Sequence, residues 1–473
     1  MYYSIHRLIC EGKSEIMLFQ STQFIIFLLI VFLLYWNLPH KSRWLLLLLA
    51  GYFYYAHFGI SYLFLLFGMT AFSYCIGRIL SLEKLNHFPV RRKIILILAI
   101  WGELSVLFFF KIPKESIILP VGISFYTFQT LGYMIDVYRN QCTAETHFGY
   151  FSTSIAFFPI LLSGPIERIP GFVTQLKKEK SFIEKDGLDG IKLMFLGYFK
   201  KMIIADSLAV YVNHVYGNLS EYTGFPLFLS ITLYSIEIYC DFSGYSDIAM
   251  GVARLLGLRL TENFKLPYLA TSIKDFWRRW HISLTSWFRD YLYIPLGGNR
   301  TSRIKKYRNI MITFLLSGLW HGSGLTFLIW GGLHGALQII ESICSSKVQL
   351  PTPLKRVLMF LSVSIAWVFF RAESLSDAFY VLCHSGDGIK RITSYLMNGY
   401  TALNMPILQL ILLLLFLILL FGYEYFSEKG ITIPNFFNNK CVKLFAFIVL
   451  IEITMFYYFK YGTDSSTFIY FQF

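Results

Sequence analysis

Apolar residues come along this chain in long blocks, not in stripes. Residues 18–38, 60–80, 93–110, 224–240, 354–370, 405–423 and 442–459 are each long and nearly free of charge. A helix that crosses the hydrocarbon core of a bilayer needs about 20 such residues. Each block therefore predicts a membrane-spanning helix. Shorter or more polar blocks at 43–57, 117–138, 148–164 and 188–204 predict further spans. The stretch 309–343 is apolar but broken by glycines, and predicts a helical hairpin or re-entrant pair. The pattern as a whole gives about eleven to thirteen spans in an all-α polytopic membrane protein. No internal repeat of helix pairs is visible, so the inverted-repeat signature of transporters is missing.

Composition agrees with the pattern. Hydrophobic residues make up 56% of the 473 and charged residues only 15%, where a soluble domain carries roughly 25%. The net charge of +14 would suggest nucleic acid in a soluble chain. Here the basic residues sit in short loops between apolar blocks, which is the positive-inside arrangement. Nucleic-acid binding is therefore not expected. Three loops set the orientation: Arg300, Arg303, Lys305, Lys306 and Arg308; Lys347, Lys355 and Arg356; and Lys429, Lys440 and Lys443. All three are assigned to the cytosol. The 309–343 hairpin then leaves and returns to the same side, block 442–459 runs outward, and the end of the chain begins outside. The seven cysteines are scattered without C-x-x-C or zinc spacing, so neither a disulfide framework nor a metal site is expected.

Residues 1–16 are mixed and unpatterned, and Met17 opens the first span. The short apolar core and small-residue cleavage site of a signal peptide are not evident. The expectation is that Met17 is the natural start and 1–16 an upstream extension. Residues 17–459 form the membrane domain, and 460–473 form a tail.

That tail ends in FIYFQF, four aromatics with one isoleucine and one amide. Chain ends are usually polar and frayed, so this one needs an apolar place to go. Its only side-chain nucleophile is the hydroxyl of Tyr470. Inside the hairpin segment LLSGLWHGSGLTFLIWGGLHG, residues 315–335, stands His321 among Gly318, Gly322 and Gly324. Ionisable groups inside a membrane are costly and tend to face an internal cavity. Glycines let a ligand or another backbone come close, and Trp320 and Trp330 are placed to wall a pocket. A neutral imidazole is the form a general base requires. Two readings of His321 stand at this point: a base, or a structural histidine bonded to a carbonyl at a glycine break. His334, in a small-residue stretch, reads as structural.

Two more segments carry chemistry. DFWRRWHISLTSWFRDYLYIPLGGN, residues 275–299, holds three tryptophans, three arginines and His281. That density suits either a membrane interface with snorkelling arginines or a buried polar network lining a passage. YCDFSGYSDIAMGVARLLG, residues 239–257, reads as a helix carrying Asp247 and Arg254, capped by Asp241 or Ser243. Asp241 or Asp247 is also a candidate partner for the arginines near His281.

Together these pieces resemble the membrane-bound O-acyltransferases, and most of all the bacterial alginate O-acetyltransferase branch. The matching stretches are MLFQSTQFIIFLLIVFLLYWNLP at 17–39, PVGISFYTFQTLGYMIDVYR at 120–139 and FFPILLSGPIER at 157–168. They continue as DFSGYSDIAMGVARLLGLRLTENFKLPYLATSIKDFWRRWHISLTSWFRDYLYIPLGGNR at 241–300 and SGLWHGSGLTFLIWGGLHG at 317–335. The resemblance implies a helical core with a central tunnel. It implies that His321 matches the family's catalytic histidine and His281 the second histidine often needed for activity. It implies acetyl-CoA as a cytosolic donor substrate with no tightly bound cofactor, an extracytoplasmic partner of the SGNH type, and a cell-surface polysaccharide as final acceptor. The location implied is the bacterial cytoplasmic membrane. In related teichoic-acid D-alanylation systems a small companion protein ends in an aromatic hexapeptide with a tyrosine, and FIYFQF is similar to it.

The mechanism expected on this basis is a relay. Acetyl-CoA enters from the cytosol, with Arg300, Arg303 and Lys305 near the mouth and Trp320 beside the thioester. His321 takes the proton of Tyr470 as its oxygen attacks the thioester. His281 or a nearby arginine steadies the oxyanion or orients the tail. Two other readings remain: direct acylation of a sugar or lipid hydroxyl by His321 without relay, and a transporter or flippase without chemistry. A glycerolipid acyltransferase of the H-x-x-x-x-D type is disfavoured, because no histidine here has Asp at that spacing.

Overall fold

The computed structural model describes residues 17–112, 119–344, 350–403 and 407–429, and near the chain's end 448, 449, 451, 452, 455, 456 and 468. Every regular element among the described residues is a helix. In lipid a helix satisfies its own backbone polar groups, which an open sheet edge cannot do.

The apolar blocks become helices with bounds set by local chemistry. Helix α1, Thr22–Asn37, opens on Ser21, whose hydroxyl accepts from the Phe24 amide at 3.2 Å. Helix α2, His40–Ala56, follows Pro39, which stops α1 from continuing. Helices α3, Ile60–Leu80, and α4, Pro89–Lys111, come next. Proline at the first position of α4 costs nothing, since its missing amide hydrogen would have no partner there. Then come α5, Ile123–Tyr138, α6, Phe148–Ala156, and α7, Ile169–Lys177. Helix α8, Glu184–Tyr198, runs through a π-helical turn at Phe199–Ala205 into α9, Asp206–Gly217.

Helix α10, Phe225–Leu255, is 31 residues long and corrects the sequence reading at one point. The apolar block stops at 240, and Asp241 or Ser243 was expected to cap a new helix. The helix instead continues unbroken through both. It can do so because Asp241 is paired with Lys201 at 2.6 Å, so a buried carboxylate does not force the chain out of the helix.

The rest of the chain gives α11, Ile273–Arg279, and α12, Ile282–Phe288, followed by a π-helical turn at Arg289–Tyr293. Helix α13, Arg303–His321, and α14, Leu325–Cys344, form the expected hairpin with three residues between them. Helices α15, Thr352–Arg371, α16, Leu375–His384, α17, Ile392–Leu403, and α18, Ile407–Lys429, complete the order. Of all these, α3, α4, α10, α14 and α15 are long and apolar enough to cross a membrane. Helix α1 and residues 410–426 of α18 are apolar but shorter. Block 442–459, the 1–16 segment and Tyr470 lie outside the described residues or nearly so.

The chain divides into two units. The first gathers described residues among Met1–Met194, Tyr245–Glu262 and Phe468–Phe473. Its core is aromatic: Phe27 stands 5.1 Å from Phe158, and Tyr54 6.0 Å from both. Glu103 of α4 is buried there and accepts from the hydroxyls of Ser73 on α3 and Thr130 on α5. Phe468 is also buried, edge-on to Tyr245 at 4.8 Å, and Tyr245 stacks on Phe19 at 4.6 Å. An apolar groove of about 510 Å³ lies along α1 and α2. It contains no histidine and opens among exposed Ile26, Ile30 and Leu49.

The second unit gathers described residues among Phe195–Gly244 and Asn263–Thr467. The α13–α14 hairpin sits in it. A β-carbon on Gly318 would collide with the carbonyl of Phe327, and one on Gly331 with the carbonyl of Phe314. Small residues at these two positions let the helix backbones touch, which is how helices associate tightly in lipid.

Candidate active site

The hairpin tip delivers His321. It is the last residue of α13 and is 2% exposed. Its ring stands edge-on to Trp330 at 4.9 Å, to Phe370 of α15 at 5.2 Å and to its neighbour Trp320 at 4.7 Å. Trp330 in turn stacks on Trp367 of α15 at 5.7 Å. The next residue, Gly322, leaves space that a β-carbon would take from the ring of Phe327. His321 thus sits in a box of aromatic rings at the end of a helix, where glycine at 322 lets the Phe327 ring pack against the backbone.

His281 reaches the same place from another element. It occupies the junction between α11 and α12 with φ at 43°, a left-handed conformation uncommon for a residue with a β-carbon. Such strain persists only where the surroundings hold it. Here the Ile282 amide donates to the backbone carbonyl of Asn263 at 2.9 Å, and the Thr285 amide to the His281 carbonyl at 2.9 Å. The imidazole is 1% exposed and edge-on to Phe242 of α10 at 4.7 Å. It stands 6.2 Å from Trp320. Both histidines therefore border one indole, that of Trp320, itself 6% exposed.

The third buried histidine has a different setting. His334 on α14 takes the indole N–H of Trp277 on its Nδ1 at 3.3 Å. It lies 4.9 Å from the Trp277 ring and 5.1 Å from Trp330. Its Nδ1 is engaged and its ring enclosed, as expected of a structural histidine.

Other residues read as site candidates fall elsewhere. Arg300, Arg303 and Lys305 are exposed, at or just before the start of α13. Arg303 and His321 are 18 residues apart on one helix, hence roughly 27 Å apart along its axis. The basic cluster is thus at the opposite end of α13 from the histidine and cannot touch the same atoms. Arg279 and Arg289 pair with their near neighbours Asp275 and Asp290. Asp241 pairs with Lys201 at 2.6 Å, which also holds Asp206 at 2.9 Å.

Three buried polar groups of the same unit escaped the sequence reading. Asn263 is fully buried and bonded to His281 Nδ1 at 3.1 Å. Lys201 sits on the π-helical turn after α8, where an extra residue in the turn re-aims side chains. Glu424 of α18 accepts from the hydroxyl of Tyr239 and lies 3.9 Å from Lys200. Only the asparagine had a visible signal, a polar residue four before Pro267 in LTENFKLPY, and that signal is weak.

Comparison with known proteins adds a second line of support. Residues 145–382 match the model of the membrane-bound O-acyltransferase family. That span contains His281, His321, Trp320 and Asn263. A probable alginate O-acetylase of Pseudomonas aeruginosa is 40% identical over 385 residues, covering 76% of this chain and 73% of that protein. A peptidoglycan O-acetyltransferase of Helicobacter pylori is 32% identical, covering 71% of this chain and 72% of the relative. A teichoic acid D-alanyltransferase of Bacillus subtilis is 31% identical over 246 residues, covering 48% of this chain and 59% of its own.

Proposed function

The chain belongs to the membrane-bound O-acyltransferase family, and from that premise we propose a route for the group it transfers. It is a multi-pass membrane O-acetyltransferase. Its relatives act on polysaccharides by name, and a polysaccharide of the cell surface is the acceptor assigned here. The donor assigned is acetyl-CoA at the cytosolic face of the bacterial cytoplasmic membrane. The observation that carries the reading is His321, buried in an aromatic box at the hairpin tip, with His281 against the same Trp320.

Acetyl-CoA carries several phosphates and does not cross a bilayer, so only the acetyl group passes. In the proposed step the phenolic oxygen of Tyr470 attacks the thioester carbonyl carbon and His321 takes the phenolic proton. The tetrahedral intermediate collapses with cleavage of the C–S bond. The leaving thiolate takes the proton from His321, so the products are coenzyme A with a free thiol and O-acetyl-tyrosine. An extracytoplasmic partner of the SGNH type then moves the acetyl to the polymer. Arg300, Arg303 and Lys305 serve only at the cytosolic mouth, attracting phosphates at a distance.

The test uses the purified full chain in detergent with isotope-labelled acetyl-CoA, digestion and mass spectrometry. Label is expected on Tyr470, and none in His321→Ala or Tyr470→Phe. Release of coenzyme A with an unlabelled tail would point to direct transfer to a sugar or lipid hydroxyl. Label that persists in His321→Ala would remove His321 from the role of base. No reaction at all would count against acetyl-CoA as the donor, and a carrier-protein thioester would be tried next.

A further inference from the structure

Asn263 meets His281 through its side-chain oxygen. Its side-chain oxygen lies 3.2 Å from the backbone N–H of Ser283, 2.8 Å from the Ser283 hydroxyl and 3.1 Å from His281 Nδ1. A backbone N–H can only donate. The atom facing it must therefore be the amide oxygen and not the amide nitrogen, which fixes the orientation of the Asn263 side chain. An amide oxygen can only accept. His281 Nδ1 must then be the donor, and in the neutral ring Nε2 holds the lone pair. The backbone reinforces this, because the Ile282 amide donates to the Asn263 carbonyl at 2.9 Å and ties the same two segments together.

We propose that Asn263 is a positioning residue that locks His281 as the Nδ1–H tautomer, so that His281 meets substrate through the lone pair of Nε2. The consequence is chemical. A neutral His281 held this way has no N–H to offer an oxyanion. It accepts a hydrogen bond, and its role is to orient a hydroxyl group, such as that of the attacking nucleophile. The contrast with His334 supports the logic. There the indole of Trp277, a donor only, engages Nδ1 at 3.3 Å and puts the proton on Nε2. Two buried histidines of one unit are thus set in opposite tautomers by partners of opposite hydrogen-bonding sense. The proposed role of His281 rests on the O-acyl-transfer reading; the tautomer does not.

The deciding measurement is the 15N spectrum of the full chain labelled at histidine, with the His281 signals assigned by their loss in His281→Gln. The expected result is a protonated Nδ1 and a bare Nε2 in the wild-type chain, and loss of that preference in Asn263→Ala. A wild-type His281 protonated on Nε2, or one unchanged in Asn263→Ala, would overturn the proposal. The spectrum needs no acetyl donor, so an inactive preparation counts against O-acetyl transfer from acetyl-CoA and leaves this result standing. Where activity is present, Asn263→Ala is expected to lose about 100-fold in rate. Asn263→Asp keeps an acceptor and adds a negative charge beside the ring, which favours its cation. That variant should retain activity, with the acid limb of its pH–rate profile moved to higher pH. If Asn263→Ala does not fold, the wild-type spectrum and the Asn263→Asp profile still decide. An unmoved limb in a folded, active Asn263→Asp chain would be evidence of scaffolding alone.

Discussion

His334 is a buried histidine with one ring nitrogen engaged by an indole. It is fully buried, bordered by Trp277, Trp330, Phe276 and Trp367, and bonded through Nδ1 to an indole. His321 has comparable burial and aromatic company, yet it stands at a helix end beside a glycine whose position admits no side chain. The two are separated by what surrounds their edges, not by how deep they lie. A prediction follows at this scale. Trp277→Phe removes the donor and leaves Nδ1 of His334 unpaired inside the protein. The expected cost is about 1–3 kcal/mol of stability, read as a lower thermal midpoint in detergent. The acetyl transfer of the variant that remains folded should be near that of the wild type. A large loss of rate without loss of stability would give His334 a place in the chemistry.

At the scale of elements the hairpin carries the site, and glycine carries the hairpin. Gly318 and Gly331 each face a carbonyl of the opposite helix, so α13 and α14 meet backbone to backbone. Gly331→Leu would place a branched side chain where the Phe314 carbonyl stands. Overpacking of a tight core costs about 1–3 kcal/mol, and here the obstacle is backbone, which cannot rotate away. The expectation is a sharp fall in folded protein recovered from membranes, whereas Gly332→Leu on the same helix should be tolerated. The nearest atom to a β-carbon at Gly332 is the end of the Leu315 side chain at 3.6 Å. Equal recovery of the two variants would show that the backbones are not in contact. Helix α10 makes a second point at this scale. Its polar centre, DFSGYSD, stays helical because Lys201 reaches Asp241 from the π-helical turn after α8. Phe242, the residue after that pair, is the one that bears on His281.

At the scale of the molecule, orientation follows from where the charges gather. The 300–308 loop and the start of α15 carry basic residues, which by the positive-inside bias are expected on the cytosolic side. Helix α13 then runs away from the cytosol and ends at His321, roughly 27 Å along its axis from Arg303. The end of the hairpin that carries His321 is therefore predicted to lie toward the outer half of a bilayer whose hydrocarbon core is about 30 Å thick. Single cysteines in a cysteine-free chain test this with a membrane-impermeant thiol reagent on intact cells. Arg303→Cys should stay unlabelled until the membrane is opened, while Ser374→Cys, at the other end of α15, should react from outside. The reverse pattern would invert the topology and with it the assignment of donor and acceptor sides.

Length and apolarity alone settle a great deal here. Spans such as 60–80 can be read from the chain residue for residue, because in lipid a run of apolar side chains has one stable backbone conformation. The glycine-broken hairpin and the family resemblance were legible for the same local reason: their signals are contiguous. What the chain could not tell by itself is which distant groups meet. Asp241 looked like a cap because its partner, Lys201, lies 40 residues away. Asn263 carried almost no signal because its meaning is a hydrogen bond to His281, 18 residues further on and beyond helix α11. The basic cluster and His321 looked close in sequence and are held apart by the rise of a single helix. Burial, partners and tautomers are properties of packing, and packing belongs to the folded chain alone.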